Sequence, residues 1–154
     1  MASSSGKRPS RNPDFEECLR KRKIVLFPLA KKLVGKELLT ALEDLEEARD
    51  RLAHDKLKYA TINAYYAIFH AARALLYSRR YREKSHICLA IALEALFVEK
   101  GLLDGRFVRI FRGSMALRED ADYSGFFSRE GATMGISNAE EFIAAAKLVL
   151  SFQG

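Results

Sequence analysis

Two groups of side chains in this sequence have types and spacings suited to chemistry. The first is the run Arg79-Arg80-Tyr81-Arg82-Glu83-Lys84-Ser85-His86. Ser85 stands where an N-cap belongs, just ahead of the apolar stretch from Ile87 to Val98. The unpaired N–H groups and positive dipole end of a helix start favour an anion, so Arg79, Arg82, Lys84 and Ser85 are candidate phosphate ligands. The same dipole disfavours a charged imidazole, which leaves His86 able to accept a proton, with Arg80 as a fixed positive charge beside it. The plain alternative is a solvated basic turn. The second group is a line of polar residues, Asn63, Tyr66, His70, Arg73, Tyr77 and Arg80, that recur by threes and fours inside an otherwise apolar segment. Such a line faces a cleft, a second subunit or water. Its Tyr, Asn and His content is unlike the Lys and Glu of an ordinary wet face, which favours a cleft or interface.

The elements that must carry these residues are helices. All three prolines lie at or before Pro28, and no glycine falls between Lys36 and Lys100. From Lys36 to His54, Leu38, Ala41, Leu42, Leu45, Ala48 and Leu52 keep helical spacing with charges on the other face, which predicts a surface helix. Between Ala60 and Tyr77, 14 of 18 residues are apolar or Tyr, so a helix over 58–78 should be covered on most sides and stand at the centre. A third helix follows Ser85 and ends near Gly101. A fourth runs from about Phe107 towards Tyr123, and a last one carries Ala132, Ile136, Ala139, Ile143, Ala146 and Leu150. No strand alternation competes. The expected fold class is all-α, an up-and-down bundle of four or five helices over residues 15–152.

Charge is placed unevenly. The net +6 arises from residues 1–36, which balance to +7, while the remainder comes to −1. A basic arm over residues 1–14 is expected to be disordered, since it has too little apolar surface to offset the cost of ordering. Phe15, Cys18 and Leu19 would begin a short docked segment, followed by Arg20-Lys21-Arg22-Lys23. Such basic segments touch nucleic acid or merely keep a protein soluble. Cys18 and Cys88 fit neither a disulfide framework nor a zinc spacing, so reduced thiols in a cytoplasmic setting are expected. No group of His, Cys and carboxylates has metal-ligand spacing, and neither metal nor cofactor is expected. The longest uncharged run, Tyr59 to Ala72, is shorter than the roughly 18 residues of a membrane span.

Four segments taken together resemble the HEPN family, the higher eukaryotes and prokaryotes nucleotide-binding domain, in its small single-domain prokaryotic and archaeal members. They are residues 64–76 (AYYAIFHAARALL), Tyr81 to His86, Arg118 to Tyr123, and Ala139 to Phe142. The resemblance implies a helical bundle that is commonly a homodimer and often encoded beside a minimal nucleotidyltransferase partner. It also implies metal-independent cleavage of RNA by an Arg followed after four to six residues by His. Arg80 precedes His86 with five residues between, Arg79 with six, and the four-residue form would need Arg at Tyr81. Arg118, Asp122 and Tyr123 enter as supporting residues on the resemblance alone; by spacing they are an Arg-to-Asp pair four apart on one helix beside a Tyr. The family branch silenced by nucleotide modification carries Tyr two residues after the His, where this chain has Cys88. Three functions are therefore carried forward: a toxin-type RNA-cleaving component controlled by a nucleotidyltransferase-like partner, a non-enzymatic nucleotide- or polyanion-binding module, and a structural dimer.

Overall fold

The structure, a computed structural model, describes residues 12–152. Most of the expected arm lies outside them. Asn12 to Asp14 form the cap and first turn of α1 (Pro13–Arg20), where the Asn12 side chain accepts from the Phe15 amide at 2.9 Å and Pro13 supplies the φ suited to a helix start. Phe15 and Cys18 bury themselves against the body.

The long helices fall where apolar periodicity places them. They are α2 (Val34–Ala53), α3 (Leu57–Ser78), α4 (His86–Leu93, continued by a wider turn over Glu94–Val98), α5 (Arg106–Glu119, continued likewise over Asp120–Ser124) and α6 (Arg129–Phe152). The product is an all-α bundle. α3 is the hub, packing against α2, α4, α5 and α6. Its alanines at 60, 64, 67, 71, 72 and 74 are fully buried, and such small side chains let neighbouring helices come close. α6 runs unbroken through Gly131 and Gly135. At Gly135 it passes Ala64 so closely that an added Cβ would sit 3.4 Å from the Ala64 methyl. Glu140 and Glu141 of α6 reach Arg49 of α2 and Arg106 of α5, each at 2.6 Å. These exposed ties are worth at most about 1 kcal/mol each, so burial of Ala139, Phe142, Ile143 and Ala146 holds the helix in place.

Two features correct the sequence reading. The segment after α3 is not simply a polar turn: Tyr81–Glu83 forms β2, paired antiparallel with β1 (Ile24–Leu26) in the register Ile24↔Glu83, Val25↔Arg82 and Leu26↔Tyr81. Three residues are too few to show period-two alternation, and the partner lies nearly sixty residues away beyond two helices, so no local pattern announces this two-stranded ribbon. The second correction concerns the thiols, for Cys18 and Cys88 are joined in a disulfide with Cα atoms 5.9 Å apart. α1 folds back on the first turn of α4, a juxtaposition that a separation of 70 residues hides from spacing arguments. The thiol argument for a cytoplasmic setting goes with it. Closing a loop of that length constrains the unfolded chain by about 4 kcal/mol in the chain-entropy account. Among the described residues, no helix is long and apolar enough to cross a membrane.

Candidate functional site

His86 opens α4. Its place is set by Ser85, whose side chain caps the helix by accepting from the Cys88 amide at 3.2 Å, and by β2, which delivers the chain to that cap. The imidazole is half-buried, 4.5 Å from the Phe69 ring and 5.8 Å from the Tyr65 ring. Nδ1 lies 2.6 Å from the Tyr65 hydroxyl. Tyr65 is buried to 1% exposure, stacked on Phe111 at 5.9 Å, and burial holds its hydroxyl protonated well beyond the usual phenol range. The phenol can donate to Nδ1 or accept from Nδ1–H, so Tyr65 accommodates either neutral tautomer of His86. In the sequence Tyr65 falls outside the polar line, among the apolar residues of the central helix. The clue was available, since a Tyr on the buried face of a central helix needs a partner for its hydroxyl where Leu or Phe would need none.

Burial is the main reason that the His86 pKa falls below the ordinary value of 6.5; Glu83 opposes the shift, and the charges of Arg118 and Arg73 reinforce it. The neutral ring therefore persists to lower pH than in an unfolded chain. The unfolded state takes up the proton first as pH drops through about 6.5, so this group makes the fold less stable on acidification. Replacing Arg118 by Gln removes an influence that lowers the pKa, and the His86 titration followed by ring-proton NMR should move to higher pH. An unchanged midpoint would show that Arg118 does not act on the imidazole.

The polar line of α3 is brought together, with partners from its own chain. Asn63 donates to Asp44 at 3.5 Å. His70 sits between two carboxylates of α2, with Nδ1 2.8 Å from Glu37 and Nε2 3.7 Å from Asp44. Arg73 spreads over the Phe69 ring at 4.6 Å and binds Glu83 of β2 at 2.5 Å. Tyr66 accepts from Arg118 at 3.1 Å, and Arg118 also pairs with Asp122 at 3.4 Å and lies 5.5 Å from the Tyr123 ring centre. Tyr77 is buried and meets Phe27 edge-on, so it lines no open groove. The line is thus a seam joining α3 to α2, β2 and α5. Its middle, at Tyr66, Phe69 and Arg73, borders His86.

The cations of the basic run before His86 differ in their surroundings. Arg79 folds over Phe97 at 4.7 Å, with its Nε buried and unpartnered. Arg80 is exposed, and Arg82 lies 5.8 Å from the Phe27 ring centre. None of the three is among the charges that weigh most on His86, which are Glu83, Arg118, Arg73 and Glu119. Arg118 also has a buried Nε without a protein partner, a costly state for a guanidinium that an anion beside it would relieve. Lys84 is exposed, as a ligand for solvent-borne phosphate must be. Among the described residues, no group of three or more His, Cys, Asp or Glu is disposed to hold a metal ion.

Comparison with known proteins bears on this arrangement. The HEPN domain profile matches residues 36–150, which is most of the chain and includes both the polar seam and His86. The chain belongs to the HEPN family. A relative in Methanocaldococcus jannaschii, named "Putative toxin MJ0605", is 33% identical over 111 residues, covering 71% of this chain and 83% of the relative. The match begins at Lys36, so α1 and β1 precede the HEPN region, while their partners Cys88 and β2 lie within it.

Proposed function

We propose that this HEPN protein is a toxin-like endoribonuclease that cuts RNA without a metal, using His86 as the proton-transfer group. The observation that carries the reading is the His86 setting: a half-buried imidazole kept neutral by burial, held by a buried phenol, with Arg118 and Arg73 bearing on it. Neutral His86 with its proton on Nδ1, bonded to Tyr65, presents Nε2 as a base to the ribose 2′-hydroxyl. As the 2′-hydroxyl proton moves to Nε2, the 2′-oxygen attacks phosphorus and the 5′-oxygen departs, taking a proton from a second group. In a homodimer that group is the other copy's His86 in its protonated form, with a proton on Nε2. A guanidinium near the phosphorane stabilises the developing charge. Arg118 is the nearer candidate in this chain, with Arg80 at the rim and Arg82, Lys84 and Ser85 on the incoming phosphates. The toxin name of the archaeal relative supports the same reading, and control by a nucleotidyltransferase-like partner belongs to it.

The second reading, a non-enzymatic polyanion-binding module, is favoured by one observation. Arg118 and Arg73 are already paired with Asp122 and Glu83, so neither is free to follow a reaction. Incubating the purified protein with RNA in EDTA separates the two readings. Cleavage should persist and leave 2′,3′-cyclic phosphate ends; binding without cleavage would favour the module, and cleavage abolished by EDTA would sink the proposed chemistry.

A further inference from the structure

Two basic runs that are far apart in sequence meet across the β1–β2 ribbon. The Lys84 amide donates to the Lys23 carbonyl and the Phe27 amide to the Arg80 carbonyl, both at 2.7 Å, with Arg82 opposite Val25 between them. Arg22, Lys23, Arg80, Arg82 and Lys84 are all exposed. Among the described residues, none of the five has an ion-pair partner, whereas neighbouring Arg20 and Lys21 are held by Glu17.

The backbone adds an independent observation. Arg22 and Arg80 have φ of 59° and 64°, the left-handed region. Each occupies the position just past a helix end: the Arg22 and Lys23 amides turn back to Leu19 and Cys18 of α1, and Arg80 follows the last residues of α3. Glycine is the usual residue there, because a side chain is strained in the left-handed region. Lys23 facing Lys84 across the ribbon is a further unfavourable pairing. Local stability would thus be better served by glycine at two of these positions and by an acid at a third. Five cations are held instead on one small ribbon whose second strand runs directly into Ser85 and His86.

We infer that this two-stranded ribbon is a binding track for the phosphate backbone of single-stranded RNA, with the segment N-terminal to the HEPN region adding Arg22 and Lys23 to the cations beside His86. The inference rests on the RNA reading above and names the surface that would hold the strand. Phe27, partly exposed and with the Arg82 guanidinium 5.8 Å from its ring centre, gives a base something to stack on, which favours a nucleic-acid strand over an acidic peptide. The disulfide from Cys18 to Cys88 fastens the added segment to α4, so the track and His86 keep a fixed relation.

The test uses the full-length protein and a fluorescent 2′-O-methyl oligouridylate, which lacks the nucleophile and cannot be cut. Affinity is measured by anisotropy across a salt series for wild type and Arg22→Gly/Lys23→Ala. The double variant should bind more weakly at low salt, and the slope of log affinity against log salt should shrink by about 1.4, at roughly 0.7 per lost phosphate contact on a single strand. Its melting temperature should not fall, because glycine suits the left-handed position. On cleavable RNA the loss should appear in KM with kcat retained. An unchanged salt slope would overturn the track, and so would a wild type that binds anionic phospholipid vesicles but not the oligonucleotide. Binding that weakens as expected, from a protein that cuts no RNA, would leave the track standing and remove the ribonuclease reading alone.

Discussion

His86→Ala should abolish RNA cleavage by at least about 10²-fold, the usual scale for a positioned acid–base group, without loss of helicity. The side chain is half-buried and lies against Phe69 and Tyr65, so its removal leaves a small gap at the edge of the core and does not empty its centre. Arg118→Ala should cost a similar factor, because a fixed charge beside developing phosphorane charge contributes on that order. Arg80→Ala should cost less, since Arg80 is exposed and is not one of the charges weighing most on His86. Single-turnover rates with 2′,3′-cyclic phosphate as the readout decide the order. If Arg80→Ala loses as much as His86→Ala while Arg118→Ala is mild, the clamp is the Arg of the Arg-to-His spacing, acting where two copies meet. Activity that survives His86→Ala would remove the mechanism altogether.

The largest expected loss of stability is at Arg73. Its guanidinium binds Glu83, whose side chain is only 3% exposed. Removing one partner of a buried ion pair leaves the other charge stranded, which costs about 3–5 kcal/mol. Arg73 itself is a quarter exposed, which places Arg73→Met at the lower end of that range. Denaturant unfolding should show it, and Arg73→Met/Glu83→Leu should recover most of the loss, because the second change removes the stranded charge. A single variant as stable as wild type would mean that Glu83 finds water or another cation. Arg73→Glu should be harsher still, because it sets a second carboxylate against Glu83 and Glu37.

The helices were legible because burial imposes period on long segments. Leu38 to Leu52 and Ala132 to Leu150 show it, and the density of apolar residues between Ala60 and Tyr77 singles out the central helix. His86 was legible because Ser85 and a following apolar run mark a helix start. Everything that depends on contact between distant segments was hidden. Glu83 reads as one acid in a basic turn, yet it is buried as the counter-charge of Arg73. Glu37 and Asp44 read as the wet face of α2, yet they bracket His70. Arg80 drew attention by its interval from His86, but a left-handed turn at that residue sends the chain into β2 and leaves its side chain in solvent. Interval along a chain is a proxy for proximity only while the chain stays helical.

The sulfur bridge makes residues 18–88 a closed covalent ring. β1, β2, α2, α3 and His86 all lie on that ring, whereas α5 and α6 hang outside it as a linear tail. The exposed corner at Asp55, between α2 and α3, is part of the ring. A protease that nicks it would open a circle and sever nothing, so the two pieces would stay tethered until a reductant parted them. Cuts beyond α4, by contrast, would release the C-terminal helices outright once their packing gave way. The molecule therefore has two classes of backbone bond, and the half that holds His86 belongs to the class that survives a break.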